Sequence, residues 1–239
     1  MSANPDISSE DNSADILRFG GAGTVLLLSL LTLVALYPLI TGGVVARTIG
    51  GIVLATILVS GTLAASRSRV HRAISAALAA TVLGLHVARL MSGNTIVESF
   101  SMVMFSVFCM YTAIIMLRRV LSFGPLYADR VHAALSVYIL LAMSWAGAYA
   151  LVEVLSPGAF SFGALTAEVQ AEPRNINILP YMFHFSIATL TSTGYGDIVP
   201  IAPFARSLSQ TEQLTGVFYV AVLISRLVGL YPEQGKERA

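Results

Sequence analysis

Charged residues are so sparse along this chain that six stretches run about as far as a bilayer is thick with at most two charges in any of them. They are Ala22–Ile40, Thr48–Ala65, Ala73–Met91, Ser99–Leu117, Val131–Val152 and Leu208–Leu230. About 30 Å of hydrocarbon asks for roughly 20 residues of helix. In that solvent an open backbone N–H or C=O is costly, so spanning segments must close their hydrogen bonds internally, as helices do. Composition agrees: of 239 residues, 56% are hydrophobic and 11% charged, too little polar surface for a water-soluble fold. The fold expected is an all-α membrane protein of six transmembrane helices, with the lipid bilayer as its solvent.

Turn formers punctuate these segments. Thr41-Gly42-Gly43 follows the first, Ser92-Gly93-Asn94 the third, and Phe123-Gly124-Pro125 the fourth. Basic residues set the orientation. Arg67, Arg69 and Arg72 crowd the link between segments two and three, and Arg118, Arg119 and Arg130 flank the link between four and five, so both links are expected to face the cytoplasm. The link after segment five carries Glu153, Glu168 and Glu172 and should face outward. Both termini are then cytoplasmic. Residues 1–21, acidic and Ser/Asn-rich at the start, read as a disordered cytoplasmic tail, residues 22–120 as a four-helix membrane domain, residues 125–232 as a second membrane domain, and residues 233–239 as a short tail. The nine residues after Leu230 leave no room in this sequence for a soluble regulatory domain. A net charge of +1 gives no case for nucleic acid. Cys109, the single cysteine, lies in an apolar run and reads as a small buried or lipid-facing residue.

Between segments five and six a second kind of stretch occurs, Leu179–Leu190, apolar but too short to cross. It is expected to re-enter, with Asn177 as N-cap and Pro180 in the first turn, where its missing N–H costs little. Gly194-Tyr195-Gly196 follows at membrane depth, where non-helical backbone is tolerated only against protein or a water-filled pore. A dehydrated cation needs several oxygens in place of its water, and consecutive backbone carbonyls turned one way supply them. That arrangement demands dihedrals outside the ordinary L-residue regions, which explains Gly194 and Gly196. Tyr195 between them offers a ring to pack outward and a hydroxyl to brace the loop.

Thr191-Ser-Thr-Gly-Tyr-Gly-Asp197 resembles the filter of tetrameric potassium channels, usually written TVGYGD. Tyr181–Leu190 is similar to that family's pore helix, Ile198-Val-Pro200 to its exit, and segments five and six to its outer and inner helices, so the resemblance covers roughly Asp129 to Tyr231. It implies a re-entrant pore helix and selectivity-filter loop between the fifth and sixth helices, and a potassium-selective channel built as a homotetramer. K+ ions would be held by Ser192, Thr193, Gly194, Tyr195 and Gly196, with Thr191 and Asp197 supporting the filter and Gly216 as inner-helix hinge. No organic cofactor is implied, and the setting is a plasma membrane, that of a prokaryotic inner membrane. Two positions depart from the family: Ser192 stands where threonine is usual and Thr193 where valine or isoleucine is usual. A weakly selective monovalent cation channel is therefore the alternative.

Six spans in this order resemble voltage-gated channels, yet Ser99–Leu117 carries no charge, with Arg118 and Arg119 only at its end, so strong voltage gating is not expected. Glu212 lies one turn before Gly216, where a carboxylate needs a hydrogen bond, a partner or a proton, and Thr189, Thr191 and Ser192 offer hydroxyls. It reads as a filter brace or a gate-coupled proton site. His184 in the pore helix packs behind the filter or senses protons, His86 and Arg89 lie one turn apart in segment three, and Arg206 is a rim anchor or ion pair. A transporter would show inverted repeats with broken helices in both halves, and an enzyme a polar catalytic cluster at one depth. The sequence shows neither, so the chain is not expected to be an enzyme.

Overall fold

The computed structural model describes residues 23–36, 43–65, 68–92, 94–121, 128–163 and 178–236. Its helices in chain order are α1 (Gly23–Ala35), α2 (Gly43–Ala65), α3 (Arg69–Ser92), α4 (Thr95–Leu121), α5 (Ala128–Leu155), the short α6 (Leu179–Leu190) and α7 (Pro203–Lys236). Strand β1 (Phe160–Ser161) lies between α5 and α6, and β2 (Val199–Pro200) between α6 and α7. The expected N-cap Asn177, the N-terminal tail and the Phe123-Gly124-Pro125 connection lie outside the described residues, while the last helix runs on to Lys236, into the stretch 233–239 expected to be a short tail.

Arg69–Ala88, Ile96–Leu121 and Val131–Leu155 are each long and apolar enough to cross a membrane, while Gly23–Ala35 and Gly50–Ala64 are shorter apolar helices. Of the first expected segment, α1 is followed by a turn at Leu36, and residues 37–40 lie outside the described residues. At the start of α4 the Ser92-Gly93-Asn94 break works as a cap, the Asn94 side-chain oxygen accepting the Ile96 N–H at 2.9 Å.

One apolar core runs through the described helices. Leu26 and Leu30 of α1, Ile57 of α2, Phe108 of α4, Leu140 and Tyr149 of α5, and Met182 and Leu190 of α6 are all fully buried. The outer faces stay apolar too, with Leu28, Ile52, Val59, Val87 and Val107 exposed, as suits a surface meeting lipid. Lipid tails are as apolar as leucine, so burying these side chains gains little by the hydrophobic effect. Close packing and interhelical hydrogen bonds carry the association instead. Helix α4 lies along α5, where the Ser144 hydroxyl donates to the Ser106 carbonyl at 3.0 Å.

Beyond α5 the chain turns sharply. Both oxygens of Glu153 accept backbone N–H groups, from Gly158 at 2.7 Å and Phe160 at 2.9 Å. β1 then pairs antiparallel with β2, Phe160 opposite Pro200 and Ser161 opposite Val199. The Ala159 carbonyl adds bonds from the N–H groups of Ile201 and Ala202. These contacts tie the segment before α6 to the segment that leads into α7, so the loop between α6 and β2 is held at both ends.

Candidate functional site

Helix α6 begins with Pro180 in its first turn, its cap position is Ile178 with no side-chain cap bond, and it ends at the C-cap Thr191. The backbone then unwinds while staying tied to the helix it leaves. The N–H of Thr191 donates to the Ile187 carbonyl at 3.0 Å and that of Ser192 to Thr189 at 2.9 Å. Thr193 and Gly194 both donate to Ala188, at 2.8 and 3.2 Å. Four successive donors thus face α6, and the carbonyls are left to the other side. Among the described residues nothing donates to the carbonyls of Ser192 through Gly196, and the whole stretch 191–197 is exposed in the single chain.

The dihedrals give the reason. Positive φ recurs at every second residue: Ser192 at 56°, Gly194 at 61° and Gly196 at 78°. Alternating left- and right-handed backbone turns successive carbonyls to one face, the arrangement that a row of oxygen ligands needs. Among the described residues Ser192 is the one non-glycine with positive φ. Serine bears that conformation with less strain than a β-branched residue. Thr193 is also placed: its hydroxyl lies 2.8 Å from that of Thr191, which donates to the Ile187 carbonyl at 2.7 Å.

At the outer end of the loop Asp197 is held twice. Its Oδ1 accepts the Ile198 N–H at 3.0 Å, and its Oδ2 lies 2.7 Å from His184 Nε2, so α6 clasps the loop across its width. The His184 ring stacks on Tyr195 at 5.6 Å between centroids and 7° between planes. Tyr195 is braced by this stacking, and its hydroxyl has no partner among the described residues. Arg206 donates from Nε to the Pro200 carbonyl at 3.1 Å.

Behind the loop lies a buried polar junction that joins three helices. Glu212 of α7 is 0% exposed. Its Oε2 accepts the Tyr149 hydroxyl of α5 at 2.6 Å, and its Oε1 meets the Ser186 hydroxyl of α6. Ser186 also lies 2.7 Å from the Ala142 carbonyl of α5. Tyr149 is wedged edge-on against Phe160 and Phe185, rings that shield the junction. Two further tyrosines tie the same elements: Tyr138 donates to the Leu190 carbonyl at 3.0 Å, and Tyr219 to the Ala134 carbonyl at 2.6 Å. Helix α7 is continuous through Gly216, where a Cβ would overlap the Leu190 carbonyl. Glycine there permits the close approach of α7 to the end of α6.

The expected hydroxyl partners of Glu212, namely Thr189, Thr191 and Ser192, are not its partners. Tyr149 and Ser186 are, because the carboxylate turns into the junction of the three helices. Sequence spacing within α7 could not show that. The available signal was two hydroxyls, Tyr149 and Ser186, inside otherwise apolar segments, where a polar group needs a partner. His86 is half-buried beside α2, the side chain of Arg89 lies outside the described residues, and Cys109 is buried.

Comparison with known proteins bears on the same part of the chain. An ion channel family model matches residues 137–231. The voltage-gated potassium channel Kch of Escherichia coli K12 is 29% identical over 124 residues, which is 51% of this chain and 26% of that protein. The potassium voltage-gated channel protein shk-1 of Caenorhabditis elegans is 34% identical over 70 residues, 29% of this chain and 13% of that one. The chain thus spans about a quarter or less of the length of these relatives. No solved structure matches it. Residues 137–231, which hold most of α5, all of α6, the loop and most of α7, are thus similar to an ion channel domain, and over part of its length the chain is similar to these two potassium channels.

Proposed function

We infer that four copies of this chain surround a pore that conducts K+ down its gradient and selects it over Na+. The observation that carries this reading is the backbone alternation at Ser192, Gly194 and Gly196, with the N–H groups of 191–194 tied back to α6. One chain offers one carbonyl per level, so enclosing an ion takes four. The carbonyls of Ser192, Thr193, Gly194, Tyr195 and Gly196, with the Ser192 hydroxyl at the inner end, replace the water of K+. Thr191 and Asp197 support the loop through the bonds described above. The C-terminal end of α6 directs its partial negative charge at the pore below, which favours a cation there. Gly216 is the place where α7 bends if the inner helix opens, and His184 and Glu212 are the titratable groups beside the moving parts.

The chain crosses the membrane six times, with α6 re-entrant and both termini in the cytoplasm of a prokaryotic plasma membrane. Conduction depends weakly on voltage. The relatives are named voltage-gated, but α4 has Glu98 in its first turn and Arg118 and Arg119 in its last, with no basic residue between them to move through the field. Each charge moved is worth about 2.3 kcal/mol per 100 mV. A steep conductance–voltage relation would contradict the assignment. A weakly selective cation channel is favoured by one feature, the hydroxyls of Ser192 and Thr193. Thr193 answers it in part, since its hydroxyl is engaged by Thr191. Flux into liposomes reconstituted with the purified protein, with K+ and Na+ gradients compared, tests the reading. K+ uptake far above Na+ uptake is expected, and equal uptake supports the weakly selective alternative.

A further inference from the structure

The Ser186 hydroxyl carries one hydrogen and faces two acceptors. One is the Ala142 carbonyl, 2.7 Å away on α5, and the other is Glu212 Oε1 on α7. Tyr149 supplies the third contact, donating to Glu212 Oε2 at 2.6 Å. An ionised carboxylate only accepts, so Tyr149 and Ser186 would both have to donate to it, and Ser186 would have no hydrogen left for Ala142. A carboxylic acid protonated on Oε1 closes every contact in one direction. Tyr149 donates to Oε2, the Oε1 hydrogen goes to Ser186, and the Ser186 hydrogen goes to Ala142.

The surroundings agree with that count. Glu212 is 0% exposed, and among the described residues no lysine, arginine or histidine pairs with it. The titratable groups facing the junction are tyrosines: Tyr149 and Tyr138 of α5, the latter in tilted ring contact with Tyr219 of α7. Helix α6 contributes Ser186, while its own titratable residues are engaged elsewhere, His184 with Asp197 and Tyr181 edge-on against Phe162. A buried anion with no cation beside it is far costlier than a neutral acid with its hydrogen bonds filled.

We propose that Glu212 is a neutral, proton-donating positioning residue that locks α5, α6 and α7 together behind the filter loop. Loss of the proton turns the Ser186 hydrogen from Ala142 to Glu212, opens the tie between α6 and α5, and leaves a charge against the aromatic wall. The loop's donors are bonded to Ile187, Ala188 and Thr189, only one to three residues beyond Ser186 on the same helix. A shift of Ser186 is therefore passed to the loop.

The test takes the full-length protein in lipid. Infrared spectra at neutral pH should contain the carbonyl stretch of a protonated carboxyl that disappears in Glu212→Gln. In the flux assay Glu212→Gln should stay within about twofold of the parent, because an amide both donates to Ser186 and accepts from Tyr149, whereas Glu212→Leu should lose about tenfold or more, or fail to assemble. Absence of the infrared band, or a Gln form as impaired as the Leu form, would overturn the proposal. The flux arm depends on the channel reading and the infrared arm does not. A protein that conducts in no form yet keeps the band refutes the channel and leaves the lock standing.

Discussion

Hydroxyls along α1, α2 and α3 mostly turn back onto their own helix. Thr32 donates to Leu28, Thr56 to Ile52, Thr62 to Leu58 and Thr81 to Ala77, each at 2.7 to 2.9 Å. From α5 onward the polar groups reach across instead: Tyr138 to Leu190, Tyr149 to Glu212, Ser186 to Ala142, Tyr219 to Ala134 and His184 to Asp197. The division is not absolute. Thr24 meets His132 at 3.0 Å and Ser29 meets Ser60 at 3.2 Å, while Thr211 and Thr215 of α7 bond within their own helix. In a bilayer a hydroxyl bonded to its own helix satisfies itself without fixing a neighbour, and one bonded across fixes relative position. The front of the molecule is therefore tied across helices at a few scattered places, Thr24–His132, Ser29–Ser60 and His71–Tyr111 among them, whereas such bonds concentrate around 186–197 and pin that part.

The strongest way to break this contrast is to strain the pinned part directly. In Gly194→Ala nothing of the same chain lies within 4 Å to clash, and forcing a Cβ onto φ 61° costs about 1–2 kcal/mol per subunit. Selective K+ flux should be abolished. Gly216→Ala comes next: the methyl overlaps the Leu190 carbonyl, and overpacking of this kind costs about 1–3 kcal/mol. We expect conductance to fall severely and thermal stability with it. Tyr138→Phe removes one cross-element bond to the Leu190 carbonyl and should cost about 0.6–1.7 kcal/mol, seen as a lower melting temperature with selectivity weakened rather than lost. The smallest effect belongs to the front. In α3 nothing lies within 4 Å of a Cβ at Gly84, so Gly84→Ala should leave flux unchanged and stability within about 1 kcal/mol, on the stabilising side. If Gly84→Ala proved as damaging as Gly216→Ala, the contrast between the two regions would be wrong.

Much of the pinned part was legible in the sequence. Pro180 and the short apolar run after it marked α6, and the glycines at 194 and 196 announced positive φ, because only backbone geometry explains two glycines flanking a tyrosine at that depth. The third positive φ, at Ser192, could not be read, since serine there looked like a plain hydroxyl ligand. The partners of Glu212 were missed because they come from α5 and α6, 63 and 26 residues away in the chain, and no periodicity within α7 encodes which helix lies behind it. Gly216 was read as a hinge, whereas its contact with Leu190 gives it a packing reason that depends on tertiary approach.

The central claim is selection of K+ by the backbone of Ser192 to Gly196, and its most direct test is the reversal potential of single channels with K+ alone on one side of a bilayer and Na+ alone on the other. The account predicts a reversal potential displaced far toward that of a pore permeable to K+ alone, collapsing to zero current in Gly194→Ala. Reversal near zero voltage in the unmodified protein, with K+ and Na+ carrying equal current, would contradict it.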